Sequence, residues 1–173
     1  MPIQRIALFF VFAFTASAYA ANLPDACGKD EVQFDVKIQK DQPLPAGPED
    51  GKAQIVFLET LTKDSGVFIK PTARFAIDGA WVGATRGNSY FVVTVSPGEH
   101  HLCTAWQSHL RRFSRNVGLT PLTVEAGKTY FVQFKINIIN DESADTVTNF
   151  SVINEDEGKF HLKSYALSTW TSH

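Results

Sequence analysis

The sequence is poor in sulfur and has no long apolar run beyond its N-terminus. Cysteine occurs twice and methionine once, and the cysteines form neither a C-x-x-C motif nor a metal-site spacing. This pattern excludes the usual dithiol redox site and the cysteine-rich zinc site. No later apolar stretch approaches the roughly 20 residues that a membrane-spanning helix needs, so we expect no transmembrane anchor in the processed protein.

Catalytic motifs and an excess of basic residues are also missing. Neither G-x-S-x-G nor H-E-x-x-H occurs, so nothing points to a common serine hydrolase or zinc protease site. The chain has 18 acidic residues against 16 basic ones, whereas nucleic-acid-binding domains carry a basic surface. We therefore predict no nucleic-acid partner, and no motif indicates a cofactor.

Residues 1–20 have the pattern of a secretory signal peptide. Arg5 precedes the apolar residues 6–14, and Ala18-Tyr19-Ala20 has the small residues of a cleavage site. We predict cleavage after Ala20 and a periplasmic or secreted bacterial protein. The processed chain would have 173 − 20 = 153 residues, which suits one domain, and a net charge of 15 − 18 = −3 with histidine neutral.

Cys27 and Cys103 are predicted to form a disulfide. Both remain after cleavage, and disulfides persist in the compartments outside the cytoplasm. The bond would tie the new N-terminal segment to the middle of the chain, and it would constrain a long loop of the unfolded protein.

Strand patterns dominate the rest of the chain. Apolar and polar residues alternate over residues 130–138, which places every second side chain on one buried face. Shorter alternating runs begin at Phe34, Ala73 and Phe91. Residues 55–58 are apolar on both faces and are predicted to lie in the middle of a sheet. The predicted fold is therefore mainly β, a single β-sandwich of about seven or eight strands.

Turn and cap residues separate the predicted elements. Asp78-Gly79 is typical of a type I′ hairpin turn, because both residues tolerate a positive φ. The proline-rich residues 42–52 cannot join a strand ladder, so residues 21–50 are assigned as an N-terminal strand and loop, and residues 51–173 as the sandwich domain. Asn154 and three following acidic residues favour a helix start, which predicts a short C-terminal helix over residues 155–167.

A series of turn motifs runs through the chain to residue 158. These motifs are Gly51-Lys52-Ala53-Gln54-Ile55, Ile77-Asp78-Gly79 with Val82-Gly83, Gly87-Asn88-Ser89-Tyr90, Pro97-Gly98-Glu99-His100, Ala126-Gly127-Lys128-Thr129-Tyr130 and residues 155–158. Their order and spacing resemble the bacterial family catalogued as domain of unknown function 2846 and, more loosely, the PEGA-type β-domains. The resemblance implies a small β-sandwich in an envelope or secreted protein, and it supplies no catalytic residues.

Glu99 and His101 are the candidate metal ligands. Alternation along a strand places them on one face and His100 on the other. Carboxylate and imidazole groups bind zinc and similar metals, which would suit a metal-dependent hydrolase. The same face also holds Cys103, so a structural role for this face is the alternative.

Three arginines and one tryptophan are the candidate binding residues. Arg111, Arg112 and Arg115 form the one concentrated basic patch, and guanidinium groups match phosphates and carboxylates. Alternatively, their charge protects a hairpin edge from aggregation. Trp81 follows a predicted turn, which favours exposure on an aromatic binding surface, although large aromatic side chains also serve as packing.

These patterns favour a secreted or periplasmic module that binds or supports a partner, without catalysis and without a cofactor. Its partner would be an envelope protein or an anionic polymer, recognised through the arginines and Trp81. The alternative is a periplasmic metal-dependent hydrolase that uses Glu99 and His101.

Overall fold

A computed structural model describes residues 24–63, 70–108, 116–140 and 145–173. The predicted signal peptide of residues 1–20 and the arginines at positions 111, 112 and 115 lie outside these described residues. No helix within the described ranges is long and apolar enough to cross a membrane.

The described residues form ten strands and one helix, so the fold is mainly β as predicted. The elements are β1 (Phe34–Gln39), β2 (Ala53–Lys63), β3 (Thr72–Ile77), β4 (Ala80–Arg86), β5 (Ser89–Val95), β6 (Gly98–Gln107), β7 (Val117–Val124), β8 (Thr129–Asn140), β9 (Asp145–Ile153), α1 (Glu155–Leu162) and β10 (Ala166–Ser172). A six-stranded sheet has the order β1-β10-β5-β2-β8-β9, and a four-stranded sheet has the order β4-β3-β6-β7. The two sheets pack as a sandwich.

The main core fills the space between the two sheets. The rings of Phe57, Phe75 and Phe91 meet there with centroids 4.9 to 5.6 Å apart. Strand β8 adds Val132 and Phe134 to the same cluster, which confirms the buried face predicted from its alternating pattern. Such side-chain contacts between inward faces are what hold a sandwich together.

Strand β2 is buried on both faces, as its apolar pattern predicted. It lies between β5 and β8 in the six-stranded sheet. Ile55 and Phe57 belong to the main core, whereas Val56 and Leu58 belong to a second apolar cluster on the outer face of the sheet. An outward face can be this apolar only where another element covers it.

The Asp78-Gly79 hairpin is confirmed. Strand β3 ends at Ile77 and β4 begins at Ala80, and the two residues between them have φ values of 50° and 82°. Positive φ at both central positions is the mark of the type I′ turn, whose twist matches that of the flanking strands.

Two strands exceed the expected number, and β7 is the first of them. It contains Pro121, which lacks an N–H donor and so weakens the sequence pattern of a strand. The four-stranded sheet places β7 at its edge, where one side of the strand needs no ladder partner. Proline is tolerated in that position.

Strand β10 is the second addition, and it corrects the predicted end of the helix. The helix begins as predicted, because Asn154 Oδ1 accepts a hydrogen bond from the Glu157 amide at 2.9 Å. It ends at Leu162 rather than at residue 167. Residues 167–172 instead pair with every residue of β1, so a ladder formed with a distant segment overrides the local preference.

Each sheet has a cover on its outer face. Residues 24–33, the N-terminal cover, lie over the four-stranded sheet and pack Cys27 against Ala76. Helix α1 and residues 163–165, the helical cover, lie over the six-stranded sheet and pack against Phe131. Each sheet therefore has one face in the main core and part of its other face under a cover.

Candidate functional site

The predicted disulfide between Cys27 and Cys103 is present. The two Cα atoms lie 5.2 Å apart, and both residues are buried in a small cluster with Ala76. The bond holds the N-terminal cover to β6. A disulfide of this kind fits a protein that works outside the cytoplasm, and it makes this face of β6 structural.

Trp81 packs against the N-terminal cover. Its indole Nε1 donates a hydrogen bond to the Lys29 carbonyl at 2.7 Å, and the Arg74 guanidinium lies 4.5 Å from the ring centroid. Gly28 approaches so closely that a Cβ there would meet the ring at 2.2 Å. The residue is half-buried, and it shares with Trp170 the lining of a small cavity of about 290 Å³.

Glu99 and His101 both lie exposed near the start of β6. Within the described ranges, no three side chains of histidine, cysteine, aspartate or glutamate are grouped as a metal site would require. Among the residues that the structure describes, no third candidate ligand therefore joins this pair. Use of the pair by a metal-dependent hydrolase stays a prediction from the sequence.

His100, rather than His101, makes the specific contacts in this region. Its Nδ1 lies 2.7 Å from Asp78 Oδ2, and its Nε2 lies 2.9 Å from the Ser96 carbonyl. Burial alone would lower the pKa of His100, but the bonds to Ser96 and Asp78 raise it overall. Asp78 also accepts a bond from the His101 amide at 2.8 Å. This group ties the hairpin turn to β6.

A cleft of about 970 Å³ lies beside the helical cover. Four exposed basic side chains line it, from the end of β1, the start of the segment before β3, the end of β4 and the end of α1. They are Lys40, Lys70, Arg86 and Lys163, and among the residues that the structure describes the acidic lining is limited to Asp41. We call this cavity the basic cleft, and it is cationic on a chain with a net negative charge.

The four cations of the basic cleft are not neutralised by ion pairs with described residues. Between them lie Tyr90, Tyr165 and Leu167, which provide a partly apolar floor. The Tyr165 hydroxyl donates to Thr60 at 2.8 Å, which fixes the ring. A concave site with convergent charges and a rigid floor is typical of small-molecule binding.

A buried carboxyl lies behind the turn that carries Arg86. Glu59 is fully buried, and it accepts hydrogen bonds from the Gly87 amide at 2.9 Å and the Thr85 hydroxyl at 2.7 Å. Burial raises the pKa of Glu59 to about 8, against the lowering effect of these bonds and of Arg86. Glu59 is therefore protonated at neutral pH and leaves the charge of Arg86 uncancelled.

The sequence patterns did not identify the basic cleft. Its four cations stand at least 16 positions apart along the chain, so they form no cluster in the sequence. Lys40, Lys70, Arg86 and Lys163 come together only because β10 inserts between β1 and β5 and brings the end of α1 to the same place. The sequence prediction extended the helix to residue 167 and assigned no strand after it, so it gave no sign of this contact.

Comparison with known proteins adds no further guide to function. No protein-family model, no curated protein and no solved structure matches the chain.

Proposed function

We propose that this protein is a secreted or periplasmic binding module that holds an anionic ligand in the basic cleft and catalyses no reaction. The carrying observation is the set of four basic side chains that converge on one cavity of an otherwise acidic chain. Lysine and arginine bind phosphate and carboxylate groups through charge and hydrogen bonds. The ligand would be an anionic constituent of the bacterial envelope.

Burial of Glu59 supports the proposal, because a cleft that binds anions should not contain an ionised carboxylate. The carboxyl lies next to Gly87 in the turn that carries Arg86, yet its raised pKa keeps it neutral at pH 7. The net charge of the described lining is then four positive groups against Asp41. That imbalance attracts anions and repels cations.

The predicted export of the protein supports the same proposal. The signal-peptide pattern of residues 1–20, with cleavage after Ala20, and the Cys27–Cys103 disulfide both suit a protein of the periplasm or the extracellular space. The resemblance to the domain of unknown function 2846 family points the same way. We propose that the chain is a distant member of that group.

The test is isothermal titration calorimetry at low ionic strength with two anionic probes and one neutral one. Tripolyphosphate and citrate represent phosphate and carboxylate ligands, and glycerol is the neutral control. We expect both anions to bind, and we expect their binding to weaken in roughly 0.5 M salt, since salt screens exposed charges. Arg86→Gln and Lys163→Gln should each weaken binding about two- to fivefold.

The matched control is Lys135→Gln. Lys135 is an exposed lysine on β8 that lies outside the cleft. Its substitution changes the net charge of the protein as much as the cleft variants do, but it removes no side chain that lines the cleft. Equal weakening by all three substitutions would show a general charge effect and would overturn the proposed site. If neither anion binds, the proposed function is overturned.

A further inference from the structure

A second cavity adjoins the basic cleft and differs from it in chemistry. It has a volume of about 600 Å³ and lies between residues 44–47 and helix α1. Its lining is mainly apolar and includes Leu44, Val56, Phe131 and Phe160. We call it the apolar groove.

The basic cleft and the apolar groove share their walls. Leu162 and Lys163, at the end of α1, line both of them. Residues 40–42 line the basic cleft and residues 44–47 line the apolar groove, and both belong to the loop that follows β1. The two cavities therefore meet end to end along the helical cover.

Two large apolar side chains stand open to solvent in the groove. Phe160 is 67% exposed and Leu44 is 58% exposed, although each lies beside buried apolar residues. Exposed aromatic and aliphatic groups around a concave surface are typical of a binding site. Phe160 is the most exposed of the large hydrophobic residues described.

Charge along the helical cover has a direction. Glu155 and Asp156 line the groove at the start of α1, and Lys163 lines it at the end, where the basic cleft begins. Lys159, in the middle, is paired with Glu155 at 2.6 Å. An anionic group is repelled from the first end and attracted to the second, so a ligand with one charged end would be oriented with that end in the basic cleft.

We infer that the ligand is an anionic amphiphile, a phosphate- or carboxylate-headed molecule whose single alkyl chain occupies the apolar groove while its head occupies the basic cleft. The inference rests on the proposed function, because the head is the anion that the basic cleft holds. It adds the alkyl chain, which anion binding in the basic cleft alone does not require. The occupant to which we commit is a monomeric amphiphile and not a peptide.

The experiment measures calorimetric affinity for octyl, decyl and dodecyl phosphate, each below the concentration at which it forms micelles. Alkyl chains that leave water gain affinity with each methylene, and we expect about a two- to fourfold gain per added methylene in a groove open on one side. Dodecyltrimethylammonium, which has the same chain as dodecyl phosphate and the opposite charge, should not bind measurably.

Two kinds of variant separate the head from the chain. Arg86→Gln should weaken binding of all three alkyl phosphates by one common factor. Phe160→Ser and Leu44→Ser should instead reduce the gain per methylene, because each removes apolar surface from the groove. Leu119→Ser is the matched control, since Leu119 is 51% exposed on β7 and lines neither cavity.

Each outcome has one meaning. A gain with chain length that falls in the groove variants and not in Leu119→Ser supports the inference. Tripolyphosphate binding without any chain-length gain, as an acidic peptide site would give, overturns the inference and leaves the proposed function standing. Failure of the alkyl phosphates and tripolyphosphate alike overturns both, and equal binding of dodecyltrimethylammonium overturns the assigned charge of the head.

Discussion

The two covers of the sandwich both pack on apolar residues of a sheet, but their polar groups are arranged differently. The N-terminal cover is joined to the four-stranded sheet by a covalent bond and by hydrogen bonds from buried side chains. The helical cover is held over the six-stranded sheet by apolar contacts and a small polar network. Under the first cover, the Nη1 and Nη2 groups of Arg74 are bonded within the protein, whereas beside the second cover four basic side chains line a cavity.

Arg74 illustrates the closed side. It is 2% exposed and donates to the carbonyls of Asp30 and Val32 at 3.0 and 2.8 Å, and to the Asp30 carboxylate at 2.9 Å. Its guanidinium also lies over Trp81. A buried guanidinium with these partners has a structural role, because removal of the partners would leave its charge uncompensated.

The helical cover illustrates the open side. Gln133 and Tyr165 both donate to the Thr60 hydroxyl oxygen at 2.8 Å, and Gln133 Nε2 also lies 3.1 Å from Nε2 of His161 on α1, which links the helix to the sheet. The cationic residues at the margin, Lys163 among them, have no comparable partners among the residues described. One side of this sandwich is therefore held by a covalent bond and buried hydrogen bonds, and the other carries the unpaired charges to which we assign anion binding.

Removing the disulfide should have the largest effect on stability. The Cys27→Ala and Cys103→Ala double variant loses a crosslink between residues separated by 76 positions, and bonds that close long loops contribute about 2 to 4 kcal/mol. We expect the free energy of unfolding in urea to fall by that amount. Anion binding at the basic cleft should remain, because the bond lies under the other cover.

Reduction provides the control for this variant. Dithiothreitol should destabilise the wild-type protein and have no effect on the double variant. If the double variant unfolds at the same urea concentration as the oxidised wild type, the N-terminal cover is not fastened by its disulfide, and the contrast between the two covers loses its main support.

A pH effect on stability, taken over one pH unit, should come next in size, and it belongs to Glu59 of β2, in the six-stranded sheet. Unfolded Glu59 ionises above its ordinary pKa of 4.5, whereas folded Glu59 keeps its proton until about pH 8. Between these values the unfolded state releases a proton that the folded state retains, so stability falls as pH rises. The contribution of this group is about −1.4 kcal/mol per pH unit in that window, and it levels off above pH 8.

Glu59→Gln isolates this effect. The amide can accept the Gly87 N–H and donate to Thr85 without a charge, so the variant should fold and should lack the Glu59 part of the pH slope. Urea unfolding of both proteins at pH 6 and pH 7, roughly the centre of the window, gives the difference. Parallel slopes for the two proteins would show that Glu59 is already ionised in the folded state.

Much of the fold was predictable because its determinants are local. The alternation of residues 130–138, the apolar residues 55–58 and the Asp78-Gly79 turn each specify a strand or turn from a few neighbouring side chains. The disulfide was predictable because only one pairing of Cys27 and Cys103 exists within the chain.

The basic cleft was not predictable because its determinants are not local. β7 contains a proline and β10 is largely polar, so neither has the apolar alternation of a strand, and each forms through partners far away in the sequence. Without β10, nothing places Lys163 near Lys40 or Arg86. The contacts that assemble this site exist only after the long-range ladders have formed.

The smallest expected effect concerns the attachment of the helical cover. Asn154→Ala removes the side-chain oxygen that accepts the Glu157 amide, and loss of such a cap costs about 1 kcal/mol. Asn154→Asp should restore the loss, because aspartate accepts the same bond and its charge favours a helix N-terminus. Urea unfolding measures the stability of both variants.

Because α1 forms one wall of the apolar groove, the alanine variant should also bind dodecyl phosphate more weakly while its affinity for tripolyphosphate changes less. Equal destabilisation by alanine and aspartate would mean that the cap does not fasten the helix, and that the open side depends on its apolar contacts alone.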